Sequence, residues 1–137
     1  MSMTGGCLCG AIRYEVSSDP MFQAICHCRD CQYVSGGGPA NVILTPAAAI
    51  TVTKGSPRQY WVTGDSGARV GREFCDICGT PVFSELEAQP QMKVIKVGSL
   101  DAPEIFKPAL HIWTGSAQPW HKLNPDLPSF PKGPGGA

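Results

Sequence analysis

Seven cysteines fall in three tight clusters, and no other feature restricts the fold of the 137-residue chain as strongly. The clusters are Cys7-Leu8-Cys9-Gly10, Cys26-His27-Cys28-Arg29-Asp30-Cys31 and Cys75-Asp76-Ile77-Cys78-Gly79. An odd count leaves one thiol over in any disulfide framework. The N-terminus, MSMTGGCLCGAIRYEV, carries no basic segment followed by an apolar run, so no secretory signal is expected. No stretch approaches the ~20 apolar residues of a membrane span. A cytoplasmic chain is the expectation, and in that compartment clustered cysteines stay reduced and read as metal ligands or reactive thiols.

The spacings divide the seven. Cys75 and Cys78 form a zinc-knuckle pattern: two thiolates three residues apart in a tight turn face one ion, and Gly79 tolerates the left-handed backbone that follows. Cys7 and Cys9, two apart on an extended strand, project to one side and supply the other two ligands, with Leu8 pointing to the core. Cys7, Cys9, Cys75 and Cys78 are thus expected to make a closed, structural zinc site. Cys26, Cys28 and Cys31 present three sulfurs to a second zinc with an open fourth position, the mark of a catalytic site. A thiolate-rich zinc is a weak Lewis acid but holds an exogenous thiol well as thiolate, so this site suits sulfur chemistry better than hydrolysis. The competing readings are a Cys75/Cys78 redox pair and one four-cysteine site with three incidental thiols.

Around these clusters run short strand-like segments. Ile12, Tyr14 and Val16 alternate with Arg13 and Glu15, and further strands are expected at 41–45, 50–53, 58–62, 72–74, 81–84, 92–97 and 109–113. Sixteen glycines and thirteen prolines punctuate them, which argues for antiparallel β structure over a helical bundle. One helix is expected at Arg29–Ser35, ended by Gly36-Gly37-Gly38-Pro39, and a short helical turn near Ala102–Phe106. The chain divides into a zinc-binding domain, 1–123, and a Pro/Gly-rich tail, 124–137, expected to lie extended over the surface without regular structure. Eleven basic residues balance eleven acidic ones, so neither nucleic acid nor a membrane surface is indicated as a partner.

Other side chains carry weaker signals. On an extended segment His27 faces away from the sulfurs of Cys26 and Cys28, as a hydrogen-bonding neighbour; His27 and Asp30 are also the nearest proton donors in sequence. His111 and His121, in HIW and PWH, read first as satisfied core or rim residues, with a catalytic role for His111 as the alternative. Trp61, Trp113 and Trp120 read as core. Arg13, Arg29, Arg58, Arg69 and Arg72 read mostly as surface charges, one or two of which could bind a carboxylate.

Gly6-Cys7-Leu8-Cys9-Gly10, Cys26-His27-Cys28-Arg29-Asp30-Cys31-Gln32, Phe74-Cys75-Asp76-Ile77-Cys78-Gly79-Thr80-Pro81 and His111-Ile112-Trp113 together resemble the glutathione-dependent formaldehyde-activating (GFA) family, from about Gly6 to Trp120. Gly98-Ser99-Leu100-Asp101 and Pro119-Trp120 also fit. The resemblance implies a mainly β, Mss4-like fold, with small antiparallel sheets around a structural four-cysteine zinc and few short helices. It also implies two zinc ions divided as above, with the zinc of Cys26, Cys28 and Cys31 at the active site. The implied reaction is that of a carbon–sulfur lyase, joining a small thiol such as glutathione to a small aldehyde such as formaldehyde. The alternatives are a non-catalytic zinc-binding module of the same fold and, behind it, methionine sulfoxide reduction.

Overall fold

The computed structural model describes residues 2–134, so the last three residues of the expected tail lie outside the described residues. In chain order the elements are β1 (Met3–Gly6), β2 (Arg13–Val16), β3 (Phe22–Cys26), α1 (Arg29–Ser35), β4 (Ala40–Pro46), β5 (Ile50–Lys54), β6 (Arg58–Thr63), β7 (Arg69–Phe74), β8 (Pro81–Leu86), β9 (Met92–Lys96) and β10 (Leu110–Ile112). Short 3-10 turns fill some connections, one of them at Pro103–Ile105 inside the expected helical stretch. No helix among the described residues is long and apolar enough to cross a membrane.

The strands form two sheets. The smaller has the order β1-β2-β5, and the larger the order β10-β3-β4-β9-β8-β7-β6. Every pair is antiparallel except β10 with β3, which run parallel. The mainly β expectation holds, with one long sheet rather than only small ones.

Register decides what each face of the large sheet carries, because cross-strand partners share a face and neighbours along a strand alternate. Ile43 pairs with Ile95, and Ile95 with Phe83, so these three form a row across β4, β9 and β8. That row is fully buried against the small sheet, where Tyr14 meets Phe83 edge to face at 4.7 Å between centroids. Met3, Val16, Val97 and Leu100 complete this core. The opposite face carries Cys26 beside Ala40, then Val42 beside Lys96, and Arg72 beside Ser84 beside Val94. One side of the sheet is thus an apolar core, and the other mixes thiols and cations.

The tail does more than cover surface. Pro128 accepts from the His111 N–H, Lys132 from that of Trp113, and the Phe130 N–H returns to the His111 carbonyl. Ser129 and His111 form a parallel bridge, so the segment lies along the free edge of β10.

Candidate metal centres

The first cysteine pair lies beyond the end of β1, in a turn. Gly10 N–H bonds back to the Cys7 carbonyl at 3.1 Å, and Gly10 takes φ +81°. The second pair copies this arrangement: Gly79 N–H bonds to the Cys75 carbonyl at 2.8 Å, with Gly79 at φ +79°. Both glycines adopt the left-handed conformation that a side chain would oppose. The turn overturns one expectation. Leu8 does not point into the core; it is 90% exposed, because Cys7 and Cys9 turn their sulfurs towards the second cysteine pair and leave Leu8 at the tip of the turn. Ile77 stands at the tip of the other turn, 74% exposed.

The two turns bring Cys7, Cys9, Cys75 and Cys78 together, all four sulfurs within 4.8 Å of one another and none in a disulfide. Cys7 and Cys9 sulfurs are 3.6 Å apart, and Cys9 and Cys75 sulfurs 3.8 Å. Zinc–sulfur bonds of about 2.3 Å at tetrahedral angles place sulfurs roughly 3.8 Å apart, so the set fits that ion. Backbone N–H groups point at the sulfurs: Ile12 at Cys7, and Ile77 and Cys78 at Cys75. The Ile12 donor favours the Cys7 thiolate over the thiol, against the effect of burial. The Thr80 hydroxyl accepts from the Leu8 N–H at 3.1 Å and lies 3.1 Å from the Cys78 sulfur, joining the two turns. That contact, first among several, holds the Cys78 pKa down to about 5. Within the larger motif Thr80 carries no separate sequence signal.

The other three cysteines lie where β3 runs into α1. Cys28 is the N-cap of α1, its sulfur accepting from the Cys31 N–H, which places Cys31 one turn in and facing Cys28. Cys26 donates to Cys28 at 3.4 Å, and all three sulfurs are buried within 4.8 Å of one another. Donation from Cys26, then from Cys28, holds Cys31 far down, to about 2, with Lys96 and Arg72 adding to the effect. The same contacts push Cys26 far up, Cys28 first, because a second thiolate beside the first is unfavourable. A divalent cation relieves that conflict, so this donor set also fits a thiophilic metal.

His27 turns away from the sulfurs, as its place between Cys26 and Cys28 requires. It is fully buried in a chain of three imidazoles. Asn124 N–H donates to His111 Nε2 at 3.0 Å, so neutral His111 carries its proton on Nδ1 and donates it to His27 Nε2 at 2.8 Å. His27 Nδ1 then donates to His121 Nδ1 at 2.9 Å, and His121 Nε2 donates to the Gly37 carbonyl at 2.9 Å. The two ends, an obligatory donor and an obligatory acceptor, impose the same direction. Every ring nitrogen is used with all three rings neutral, and burial, ahead of the two neighbouring rings, holds His27 down to about 4. His111 and His121 are therefore satisfied core residues. Gln32, also buried, donates to the His27 and Ser116 carbonyls and accepts from Arg29 and Gln118. Together these bonds fix the backbone that carries Cys26 and Cys28.

A family model described as glutathione-dependent formaldehyde-activating enzyme matches residues 2–116, which include all seven cysteines and the Gly79-Thr80-Pro81 segment. The chain belongs to this family. The crystal structure of a Rhodobacter sphaeroides protein has the same fold: TM-score 0.59 at 18% identity, covering 93% of this chain and 99% of that one. No curated protein matches the chain in sequence. As a GFA-family chain it carries its two cysteine groups on separate parts of the fold. The four-cysteine group joins the β1–β2 turn to the β7–β8 turn, and the three-cysteine group belongs to one local segment.

Proposed function

We propose that this chain is a zinc-dependent enzyme of the carbon–sulfur lyase type, adding a small thiol, glutathione or similar, to an aldehyde such as formaldehyde. The observation that carries the reading is the division of the cysteines in a GFA-family chain: four closed around one point, and three buried together, one of them 4.0 Å from Arg72, which also lines a cavity. Cys7, Cys9, Cys75 and Cys78 hold a structural zinc, and Cys26, Cys28 and Cys31 hold the one that serves the reaction. The chemistry that this second zinc would supply, held by Cys26, Cys28 and Cys31, is a lowered pKa for the substrate thiol.

In the reaction a sulfur–carbon bond forms between thiol and carbonyl carbon, the carbonyl π pair moves to oxygen, and the proton lost by the thiol ends on that oxygen. The protein's share is mainly positional, because holding thiol and aldehyde together replaces a bimolecular encounter. The imidazole chain and Gln32 keep Cys26 and Cys28 in place. His27, with both ring nitrogens engaged, acts as a positioning residue. Its N–H and carbonyl are held by Ile112 and Gln32. The cytoplasm, with its reducing thiol pool, is the compartment that suits seven free cysteines.

Cobalt in place of zinc tests the reading, because sulfur-to-cobalt charge-transfer bands report the thiolates bound. Glutathione should raise their intensity in the wild type and leave Cys28→Ala unchanged, while S-methylglutathione gives no rise. With formaldehyde present, hemithioacetal should form faster than in the same buffer without protein. Absence of any response to glutathione or cysteine would overturn the thiol site. A spectral response without rate enhancement would overturn formaldehyde as the substrate.

A further inference from the structure

The face of the large sheet that carries Cys26 also carries two cations with no carboxylate partner among the described residues. Lys96 lies beside Val42 in register, and Val42 packs against the three-cysteine cluster. Only 7% of Lys96 is exposed, and its ammonium group has no carboxylate or hydrogen-bond partner among the described residues; burial holds its pKa down, and the facing Cys31 sulfur opposes that. Arg72 lies beside Ser84 two strands away, and its Nη1 reaches only to the Cys31 sulfur, at 4.0 Å. Arg72 Nε and the Ser84 hydroxyl are buried with no hydrogen-bond partner in the protein. Two other arginines find carboxylates, Arg13 at Asp101 and Arg69 at Glu87, while Arg29 donates to Gln32. The one carboxylate beside Arg72, Glu73, is taken by Lys93 at 3.1 Å.

Buried donors of this strength are seldom left unused, since an unpaired one has lost its water without gaining a partner, and a charged one more so. Arg72 and Lys96 both line a cavity of about 240 Å³, walled on its other sides by Tyr33 and Val34 of α1, by Phe74 and Phe83, and by Glu73, whose carboxylate is held by Lys93. That volume falls below the roughly 300–1,000 Å³ of a site for a drug-sized ligand, so it takes one end group rather than a whole large molecule. A guanidinium presents a planar fork of N–H donors, matched to a carboxylate. Because Arg72 touches both the cavity and Cys31, an anion held there lies a few bonds from a sulfur placed beside the three thiols.

We infer that Arg72 and Lys96 form the subsite for a carboxylate carried by the thiol, so that the substrate class is an anionic thiol; this rests on the thiol-site reading above. Tyr33 and Val34 close the cavity on the α1 side, and Arg72 sets which end of the thiol enters. A neutral thiol reaches the three-cysteine site without this anchor.

Calorimetric titration of the zinc-loaded protein at neutral pH separates the two readings. The probes are 3-mercaptopropionate, its methyl ester, which keeps the thiol and loses the charge, and propionate, which keeps the charge and loses the thiol. The acid should bind at least tenfold more tightly than the ester. Arg72→Gln should lower affinity for the acid about tenfold and leave the ester unchanged, with zinc content and melting temperature as in the wild type. Lys96→Met should act in the same direction. Equal binding of acid and ester, or an acid preference that survives in Arg72→Gln, would overturn the carboxylate subsite and leave the thiol reading standing. Binding of propionate, lost in Arg72→Gln, with no added affinity from the thiol would keep the subsite and overturn the thiol reading. No binding of any probe would overturn both.

Discussion

Three arginines of β2 and β7 look alike in sequence and differ entirely in what they meet. Arg13 donates through both terminal nitrogens to Asp101, which also accepts from the Thr4 hydroxyl at 2.8 Å. Arg69 stacks over Trp61 and pairs with Glu87. Arg72 turns to a sulfur and a cavity. The Arg13 pair has a consequence for pH. Hydrogen bonding from Arg13 first, then from Thr4, holds the Asp101 carboxyl down to about 2, from an ordinary 3.8. A carboxylate with a depressed folded pKa contributes stability above its unfolded pKa and loses it as pH falls towards the folded one. The contribution should thus be complete above about pH 4 and vanish towards pH 2. The two side chains are 39% and 46% exposed, so solvent screening keeps the effect small. Denaturant melts at pH 6 should show Asp101→Asn slightly less stable than the wild type, and the gap should close by pH 2 and shrink in high salt. A gap that widens on acidification would refute the assignment.

At the scale of elements, the tail and β10 behave as one unit. The N–H groups of His111, Trp113, Thr114 and Gly115 all donate to carbonyls between Pro128 and Lys132, and Asn124 closes the imidazole chain. With the Phe130 N–H to the His111 carbonyl, truncation after Leu123 removes six hydrogen bonds, and should therefore destabilise the protein by on the order of 6 kcal/mol, at about 1 kcal/mol per lost hydrogen bond. A thermal melt of the truncated chain matching the wild type would contradict this. The tail's pairing was not legible in NPDLPSF, because the bonds use backbone carbonyls that proline retains and no side-chain alternation marks them. For a similar reason β1 went unread: Met3-Thr-Gly-Gly has no β-branched pattern beyond Thr4, and its partner β2 supplies the order. Nor does β3, Phe22-Gln-Ala-Ile-Cys, alternate, since Phe22 and Ile25 place apolar side chains on opposite faces of the sheet. By contrast β2 and the strands from β4 to β10 were marked by branched or aromatic runs between turn residues. The helix Arg29–Ser35 was bounded by its cysteines and by Gly36, which takes φ +82° as the C-cap. The cysteine groups were legible because ligand spacing is local. Lys96 and Ser84 were not, because only the register of β7, β8 and β9 brings them near Arg72 and Cys31.

For the molecule as a whole, the two cysteine groups differ in what they tie together. Cys7 and Cys9 belong to the turn between two strands of the small sheet, while Cys75 and Cys78 belong to the turn between two strands of the large one. Metal held by these four is folding free energy, because the unfolded chain has no preformed site. Cys26, Cys28 and Cys31 span a single short segment already fixed by the imidazole chain, Gln32 and the start of α1. Loss of their metal removes a local constraint only. Cys78→Ser should accordingly yield an insoluble or molten protein that has lost one zinc. Cys28→Ala should halve the zinc content yet keep the wild-type circular dichroism and a melt close to that of the wild type. Chelation should follow the same order, with the three-cysteine site emptied before the fold is lost, read by zinc release against circular dichroism in one titration. If Cys28→Ala unfolds as completely as Cys78→Ser, or if Cys78→Ser melts cooperatively with both zinc ions in place, the assignment of one group to the fold and the other to the chemistry is wrong.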